Sequence, residues 1–257
     1  LSICFVFCTK GIFIKKNIID KVNVRSSHNS TAFRIGGISL FSSLFLISAF
    51  YYTQGIELYD YSLLIPLAIL TLIGCYDDIY DVDFKLKFLF QIIAAKIIID
   101  SGLIIDNMHG IMGIFELNRI IAQVLTIFII VAIINSINFI DGIDGLAILI
   151  VSKFIVFIEF FALYNFKLSY LSYIIIFSCL PLIYYNLRKN QKVFLGDSGS
   201  LFLGGVVSIY VLNALSQEYI IKSEFDINKV LFIISILSYP IFDLIRVSLL
   251  RIFKGNS

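Results

Sequence analysis

The segment Asn135-Ser-Ile-Asn138-Phe-Ile-Asp141-Gly-Ile-Asp144-Gly-Leu-Ala147 sets an amide and two carboxylates at three-residue intervals, between one long apolar run and the next. Such groups are costly at bilayer depth, and where they abut membrane helices they mark a site. Asp77-Asp78 and Asp197 lie in the same kind of place. Adjacent carboxylates repel unless a cation is near. A hard divalent ion such as Mg²⁺ takes one or two carboxylates together with substrate phosphates. The chemistry these residues suit is the handling of a metal and of phosphates.

Each cluster also has a bland reading. Asp77-Asp78, followed by Asp81, Asp83, Lys85 and Lys87, is either a solvated acidic loop or a site in which two cations suit an anionic ligand. Asn138, Asp141 and Asp144 would share nearly one face of a helix, whereas Gly142 and Gly145 argue for a tight turn whose backbone approaches a ligand. A calcium loop fits Asp-Gly-x-Asp-Gly, but the downstream Glu of an EF-hand is missing. In Val193-Phe-Leu-Gly-Asp197-Ser-Gly-Ser200, Asp197 sits among small residues at a helix start, a ready anion site. Phe194 offers an aromatic face to a base or simply packs. Arg25-Ser-Ser-His28 through Arg34-Ile-Gly36-Gly37 is a basic loop before an apolar run, which ordinarily serves as a membrane anchor.

The elements that position these residues must be membrane helices. Of the 257 residues 59% are hydrophobic and 15% charged, against about 25% charged in a soluble domain, and the mean hydropathy is +0.95. Apolar stretches of about the length that crosses a bilayer fall at 1–14, 36–53, 61–76, 88–105, 120–137, 145–163, 170–186, 201–216 and 230–250. The expectation is an all-α, polytopic helical membrane protein with nine spans of a complete ten or eleven. It forms one domain over 1–257 that reads as cut at both ends. Alternating the loops puts twelve cations on one side (Lys15, Lys16, Lys21, Arg25, Arg34, Lys85, Lys87, Arg188, Lys189, Lys192, Arg251, Lys254) and four on the other (Arg119, Lys167, Lys222, Lys229). The richer side is cytoplasmic by the positive-inside rule. All four clusters lie on it.

Lesser features read as structural. Cys4, Cys8, Cys75 and Cys179 lie in or beside apolar spans, so no disulfide framework is expected. Two histidines, His28 and His109, offer no histidine-based metal site. Asp106 to Gly113 is glycine-punctuated and predicts a turn or small hairpin. Lys96 and Asp100 are spaced to pair along a helix. Pro240 predicts a kink in the ninth span, ahead of Asp243 and Arg246, which form either an intrahelical pair or part of the site.

Together the four segments resemble the polyprenyl-phosphate N-acetylhexosamine-1-phosphate transferases, over essentially the whole chain and in the same order. Asp20 through Arg25, His28, Arg34 and Gly36-Gly37 look like that family's first cytoplasmic loop. Asp77-Asp78 with Lys85, Lys87 and Gln91 looks like its paired-aspartate motif. Asn135–Ala147 and Leu195–Ser200 look like the remaining two. The spacing from Asp78 to Gln91 is closer to the sugar-phosphate branch than to the peptidoglycan translocases. The resemblance implies transfer of a sugar 1-phosphate from a UDP-sugar to undecaprenyl phosphate, with Mg²⁺ (or Mn²⁺) as cofactor. It also implies a multi-pass protein of the bacterial cytoplasmic (inner) membrane whose site faces the cytoplasm. On the same resemblance Asp197 and Asn138 hold the metal, Asp144 and Phe194 hold and stack the uracil, Asp141 is a further substrate-binding residue, Lys87 and Arg34 offset the phosphates, and Asp77-Asp78 are the catalytic pair beside the lipid phosphate. Its partners are the two substrates, with no nucleic acid and with a homodimer left open. Family members continue past the ninth span into a histidine-rich loop concerned with diphosphate contact and sugar choice, which Ser257 precedes.

Three other readings compete. A secondary transporter would carry its acids near the bilayer midplane on broken helices, not at one face. A CDP-alcohol phosphotransferase would continue from Asp-Gly to Ala-Arg, whereas Ala147 is followed by Ile148. An inactive or incomplete member of the transferase family is the nearest rival.

Overall fold

The computed structural model describes residues 33–108, 110, 113–162, 168–188, 192–216, 219–223, 225 and 228–254. The first apolar stretch, Asp20 to His28, Cys4, Cys8 and His109 lie outside them. Within them the chain forms helices α1 (Gly36–Thr53), α2 (Leu64–Tyr80, entered by a 3₁₀ turn at Tyr61–Leu63), α3 (Phe84–Asp100), α4 (Arg119–Ile140), α5 (Leu146–Phe161), α6 (Ser169–Asn186), α7 (Gly196–Leu215), α8 (Lys229–Ile236) and α9 (Ser238–Lys254). Four helices and the bent-free unit Tyr61–Tyr80 are long and apolar enough to cross a bilayer, and the pair α8–α9 makes a sixth candidate. At 17 and 16 residues, α3 and α5 are slightly shorter than those, yet they run between the same two ends. This is the expected all-α, polytopic membrane architecture.

Side-chain chemistry sets many of the boundaries. Asp60, Asp83, Asn118 and Asn228 each accept a backbone N–H from the first turn that follows, supplying partners that helix starts lack. Asp81 ends α2 in the left-handed conformation, φ 54°. Asp81 and Asp83, grouped by sequence with the acidic cluster, thus work as helix punctuation. The ninth span is broken by 66° between α8 and α9. Pro240 has no N–H for the carbonyl of Ile236 and its ring crowds that carbonyl, so the bend falls at Leu237, just ahead of the proline. Asp243 accepts from Arg246 on the same helix, and Lys96 pairs with Asp100 along α3. The glycine-punctuated segment is a hairpin: Met108 N–H donates to Phe115 O (2.8 Å) and Leu117 N–H to Asp106 O (2.8 Å).

At the centre stands α7, with 94% of its span buried against 39–44% for the other single-helix spans. It packs on α1, α2, α4, α5 and α8. A helix apolar all round belongs inside a bundle, and small residues let neighbouring backbones come close in lipid, where the hydrophobic effect between helices is absent. A Cβ on Gly204 would lie 2.7 Å from Ile134 Cα, and one on Gly37 only 2.1 Å from Gly199 N. Outward, large side chains such as Leu72, Phe128 and Phe177 are exposed, as a lipid-facing surface requires.

The only strands among the described residues are two-residue pieces, β1 (Phe33–Arg34) and β2 (Val193–Phe194). They pair in parallel with Arg34 opposite Phe194. With the Gly37 N–H donating to Leu195 O (3.1 Å), they fasten the approach to α1 onto the approach to α7. Cys75 and Cys179 are free thiols.

Candidate functional site

Asp77 and Asp78 occupy the last turn of α2 and not, as the apolar boundary at residue 76 suggests, a loop beyond it. Lys87 lies in the first turn of α3, and Asp197 in the first turn of α7. Three helix ends therefore meet. Successive residues on a helix point about 100° apart, so the two adjacent aspartates do different work.

Asp78 faces α7. Its Oδ1 accepts from the Asp197 N–H (2.9 Å) and its Oδ2 from the Ser198 N–H (3.0 Å). The first residue before α7, Leu195, offers no side-chain cap. Asp78 is thus the cap of α7 supplied by another helix, with its charge at the positive end of the helix dipole. Its side chain is 2% exposed, and Arg34 Nη1 stands 3.9 Å away. Gly196, at φ 73°, makes room: a Cβ there would lie 2.7 Å from Asp78 Oδ2.

Asp77 turns toward α3. Its Oδ1 accepts from the Val82 N–H (2.8 Å), and its Oδ2 accepts from Lys87 Nζ (2.9 Å). The same ammonium donates to Asp197 Oδ2 (3.0 Å). One lysine thus bridges two carboxylates that would otherwise repel.

The Asn135–Ala147 motif resolves in favour of the turn. Asn138 is still helical, Asp141 is the residue after α4, and Asp144 lies in the turn before Gly145, whose φ is 70°. The three therefore do not share a helix face. Asn138 Nδ2 donates to Ser200 Oγ (2.8 Å), and Ser200 Oγ donates to Asp197 O (3.4 Å), tying the amide to the first turn of α7. Deeper in, Asn135 and Gln91 exchange amide hydrogen bonds, 2.8 and 3.4 Å. Burial, and after it the charges of Asp197 and Asp78, pushes the Asp141 carboxyl well above the usual carboxylate range, with Arg34 pulling the other way. Within the cluster itself carboxylates (Asp77, Asp78, Asp141, Asp197) outnumber the cations Arg34 and Lys87.

Asp144 has a separate partner. Lys192 forms an ion pair with it and sits 5.3 Å from the centroid of the Phe194 ring. Lys192 appears in the sequence as one more loop cation; nothing in its spacing shows that it joins Asp144 to Phe194. Asn186 is the other residue missed. Its Nδ2 donates to Val193 O (3.0 Å) beneath this pair.

Among the described residues no three His, Cys, Asp or Glu side chains converge as a metal-binding group. Asp197 and Asn138, the latter fixed through its amide nitrogen on Ser200 in the same turn of α7, offer a smaller set of hard oxygen donors. That set suits an ion which keeps most of its coordination sphere for water and phosphate, and not a closed protein cage.

The fold and these clusters define a polytopic helical membrane protein with an acidic, lysine-bridged site at one end. A model of glycosyl transferase family 4 matches residues 60–215, which include Asp77, Asp78, Lys87, Asn138, Asp141, Asp144, Phe194 and Asp197. The chain belongs to this family. It is 33% identical over 240 residues to the probable undecaprenyl-phosphate N-acetylglucosaminyl 1-phosphate transferase of Bacillus subtilis, covering 91% of this chain and 64% of that protein. It is 30% identical over 264 residues to the undecaprenyl-phosphate alpha-N-acetylglucosaminyl 1-phosphate transferase of Salmonella typhi, covering 98% and 69%. With the protein of the latter name from Haemophilus influenzae the figures are 33% over 251 residues, 93% and 68%. The chain spans about two thirds of the length of these relatives. The resemblance drawn from the four motifs, including the sugar-phosphate branch, holds.

Proposed function

We propose that this chain transfers a sugar 1-phosphate, by default that of N-acetylglucosamine, from a UDP-sugar to undecaprenyl phosphate at the cytoplasmic face of a bacterial inner membrane. UMP leaves, and the product begins a cell-surface glycan. The observation that carries this reading is Lys87 bridging Asp77 on α2 and Asp197 on α7. It puts cation, carboxylates and a helix N-terminus at one membrane end, in a family whose relatives are named for lipid-phosphate acceptors.

In the reaction an oxygen of the lipid phosphate attacks the β-phosphorus of the UDP-sugar. The new phosphoanhydride forms as the bond from the β-phosphorus to the α,β-bridging oxygen breaks, and UMP departs carrying that bridging oxygen. Two anions must meet, so fixed positive charge is the main requirement. Lys87 and Arg34 supply it from this chain. Asp197 and Asn138 would hold Mg²⁺, which when bound offsets charge on the diphosphate. Asp77 positions. A phosphate monoester has a second pKa of about 6, so the nucleophile is already largely dianionic at neutral pH and gains little from a base. Asp77 instead orients Lys87, and Asp78 orients the start of α7. Asp144, set by Lys192 beside the Phe194 ring, would take the uracil, and Asp141 would contribute to substrate binding.

The test is made on full-length protein in detergent with undecaprenyl phosphate, Mg²⁺ and a panel of UDP-sugars carrying GlcNAc, GalNAc, FucNAc or QuiNAc. UMP release that depends on the lipid, with lipid-linked sugar phosphate formed in step, is expected for at least one donor. Folded protein that releases no UMP from any donor would overturn the reading.

A further inference from the structure

At the end of the bundle opposite the site lies an open pocket of about 650 Å³, a size that suits a small molecule. Its wall gathers Glu57, Tyr59 and Asp60 from the connection between α1 and α2, Ser101 from the residue after α3, and Asn213 and Ser216 from the end of α7. Asp197 and Ser216 are about 28 Å apart along α7 at 1.5 Å per residue, so this pocket is separate from the cluster around Lys87. Most polar groups in the wall have partners inside the protein. Ser101 Oγ donates to Ile98 O (2.7 Å), Ser216 Oγ donates to Asn213 O (2.6 Å), and Tyr59 Oη shares a hydrogen bond with Ser48 Oγ (2.6 Å). Asp60 Oδ1 accepts from the Ser62 N–H (2.9 Å). The Asn213 amide is the exception. Its residue is only 9% exposed, yet among the described residues its side chain makes no hydrogen bond. A primary amide carries two donors and an acceptor, and a buried one is normally satisfied. Since Asn213 lines the pocket, its partner comes from what fills the pocket.

Water would meet the amide but not the charge. Among the described residues the Glu57 carboxylate has no partner, Asp60 uses one oxygen only, and no basic side chain lines the wall. Lys229 reaches Ser216 only at its backbone carbonyl (2.7 Å), and Lys96 is paired with Asp100. The C-terminal ends of α3 and α7 both open here, and their dipoles add negative potential to the two carboxylates. We infer that this pocket binds an organic cation through a primary ammonium group, whether of a soluble polyamine or of a lipid headgroup; the inference does not depend on the transfer reaction. An ammonium brings three donors, which match Glu57, Asp60 and the Asn213 amide oxygen in number. A hard divalent ion asks for about six oxygens, and among the described residues no three acidic side chains converge.

Full-length protein in a neutral detergent is titrated with spermidine by calorimetry at low salt. On the same preparations native mass spectrometry compares retention of phosphatidylethanolamine with that of phosphatidylcholine, whose ammonium has no N–H to donate. Saturable binding of one spermidine assigns the soluble source, and selective retention of phosphatidylethanolamine assigns the lipid. Glu57→Gln and Asn213→Leu should each weaken the binding about tenfold or more. Glu116→Gln, which alters a carboxylate outside the wall, should leave it within about twofold. Glu57 is exposed and its variant keeps the side chain's shape, so it carries the test even where Asn213→Leu melts early. Folded wild type that binds neither probe, equal weakening by Glu116→Gln, or undiminished binding in Glu57→Gln overturns the inference. Ca²⁺ binding that depends on Glu57 while neither amine binds overturns it too.

Discussion

The two ends of the helix bundle are held together by different chemistry. At the site end, contacts between elements carry formal charge: Lys87 with Asp77 and Asp197, Asp78 on the α7 N–H groups, Lys192 with Asp144. At the opposite end they are mostly neutral. Ser48 and Tyr59 share a hydrogen bond of 2.6 Å, Thr126 Oγ1 accepts from the Ile105 N–H (3.0 Å), and Tyr219 donates to Ile158 O (2.8 Å). One carboxylate there, Glu159, accepts from the hydroxyls of Ser169 and Ser172, and Lys222 and Lys229 donate to the backbone carbonyls of Phe160 and Ser216 without pairing a carboxylate. Among the described residues these helices are thus joined without an ion pair from one element to another. Partly buried ion pairs contribute little net stability once desolvation is counted, so the charges at the other end are explained by what that end must bind. If this is right, substitutions among these neutral contacts change stability alone, and those among the charges separate into a stabilising and a chemical class.

The largest effect should come from the backbone contact on which the charged end is built. In Gly37→Ala the new Cβ would lie 2.1 Å from Gly199 N and 2.3 Å from Ser198 C. Both neighbours are backbone and cannot swing aside, so the cost should reach or exceed the upper part of the roughly 1–3 kcal/mol seen for overpacking. Loss of most folded protein, or a sharply lower melting temperature in detergent, is expected. Gly142→Ala serves as the control, since its Cβ would meet nothing within 4 Å. Equal melting of the two variants would show that α1 and α7 are not pinned at this point.

Among the charges, the neighbours Asp77 and Asp78 should part company. Asp78→Ala strands two buried N–H groups at the start of α7, at about 1–3 kcal/mol for an unsatisfied group, and activity should fall together with melting temperature. Asp77→Asn keeps an acceptor for the Val82 N–H but loses the charge that faces Lys87. It should melt close to wild type and retain a measurable remnant of turnover, whereas Asp197→Ala abolishes it. UMP release and thermal melting measured on the same preparations decide this. Complete loss in Asp77→Asn, with folding intact, would count against a positioning role.

These residues also show how far the sequence carries. The helical membrane class, the convergence of the clusters on one end and the kink near Pro240 follow from hydropathy, loop charge and the missing proline N–H. The helix boundaries at the site do not, because polar residues continue α2, α3 and α7 past the apolar runs that mark them. That continuation makes Asp78 a cap for another helix, and no local spacing encodes a contact across 119 positions. Lys192 is invisible for the same reason. For the Asn138–Asp144 segment the sequence leaves helix and turn both open, and the turn is closed by local backbone bonds, Ile143 N–H to Ile140 O and Leu146 N–H to Ile143 O, with Gly145 at φ 70°.

The smallest effect should lie at the neutral end. Ser48→Ala removes a hydroxyl that bonds Tyr59 Oη and also donates to Leu44 O (2.8 Å). The Leu44 carbonyl keeps its place in the helix, but the buried Tyr59 hydroxyl loses a partner, a cost of about 1–2 kcal/mol. A modest drop in melting temperature is expected, with kcat and both KM values as in wild type. Ser48 lies near the end of α1 remote from Gly37, so any effect on turnover would have to travel the length of that helix. A clear fall in kcat without further loss of folded protein would mean that the outer end of α1 is coupled to the site, and the division into a holding end and a working end would fail.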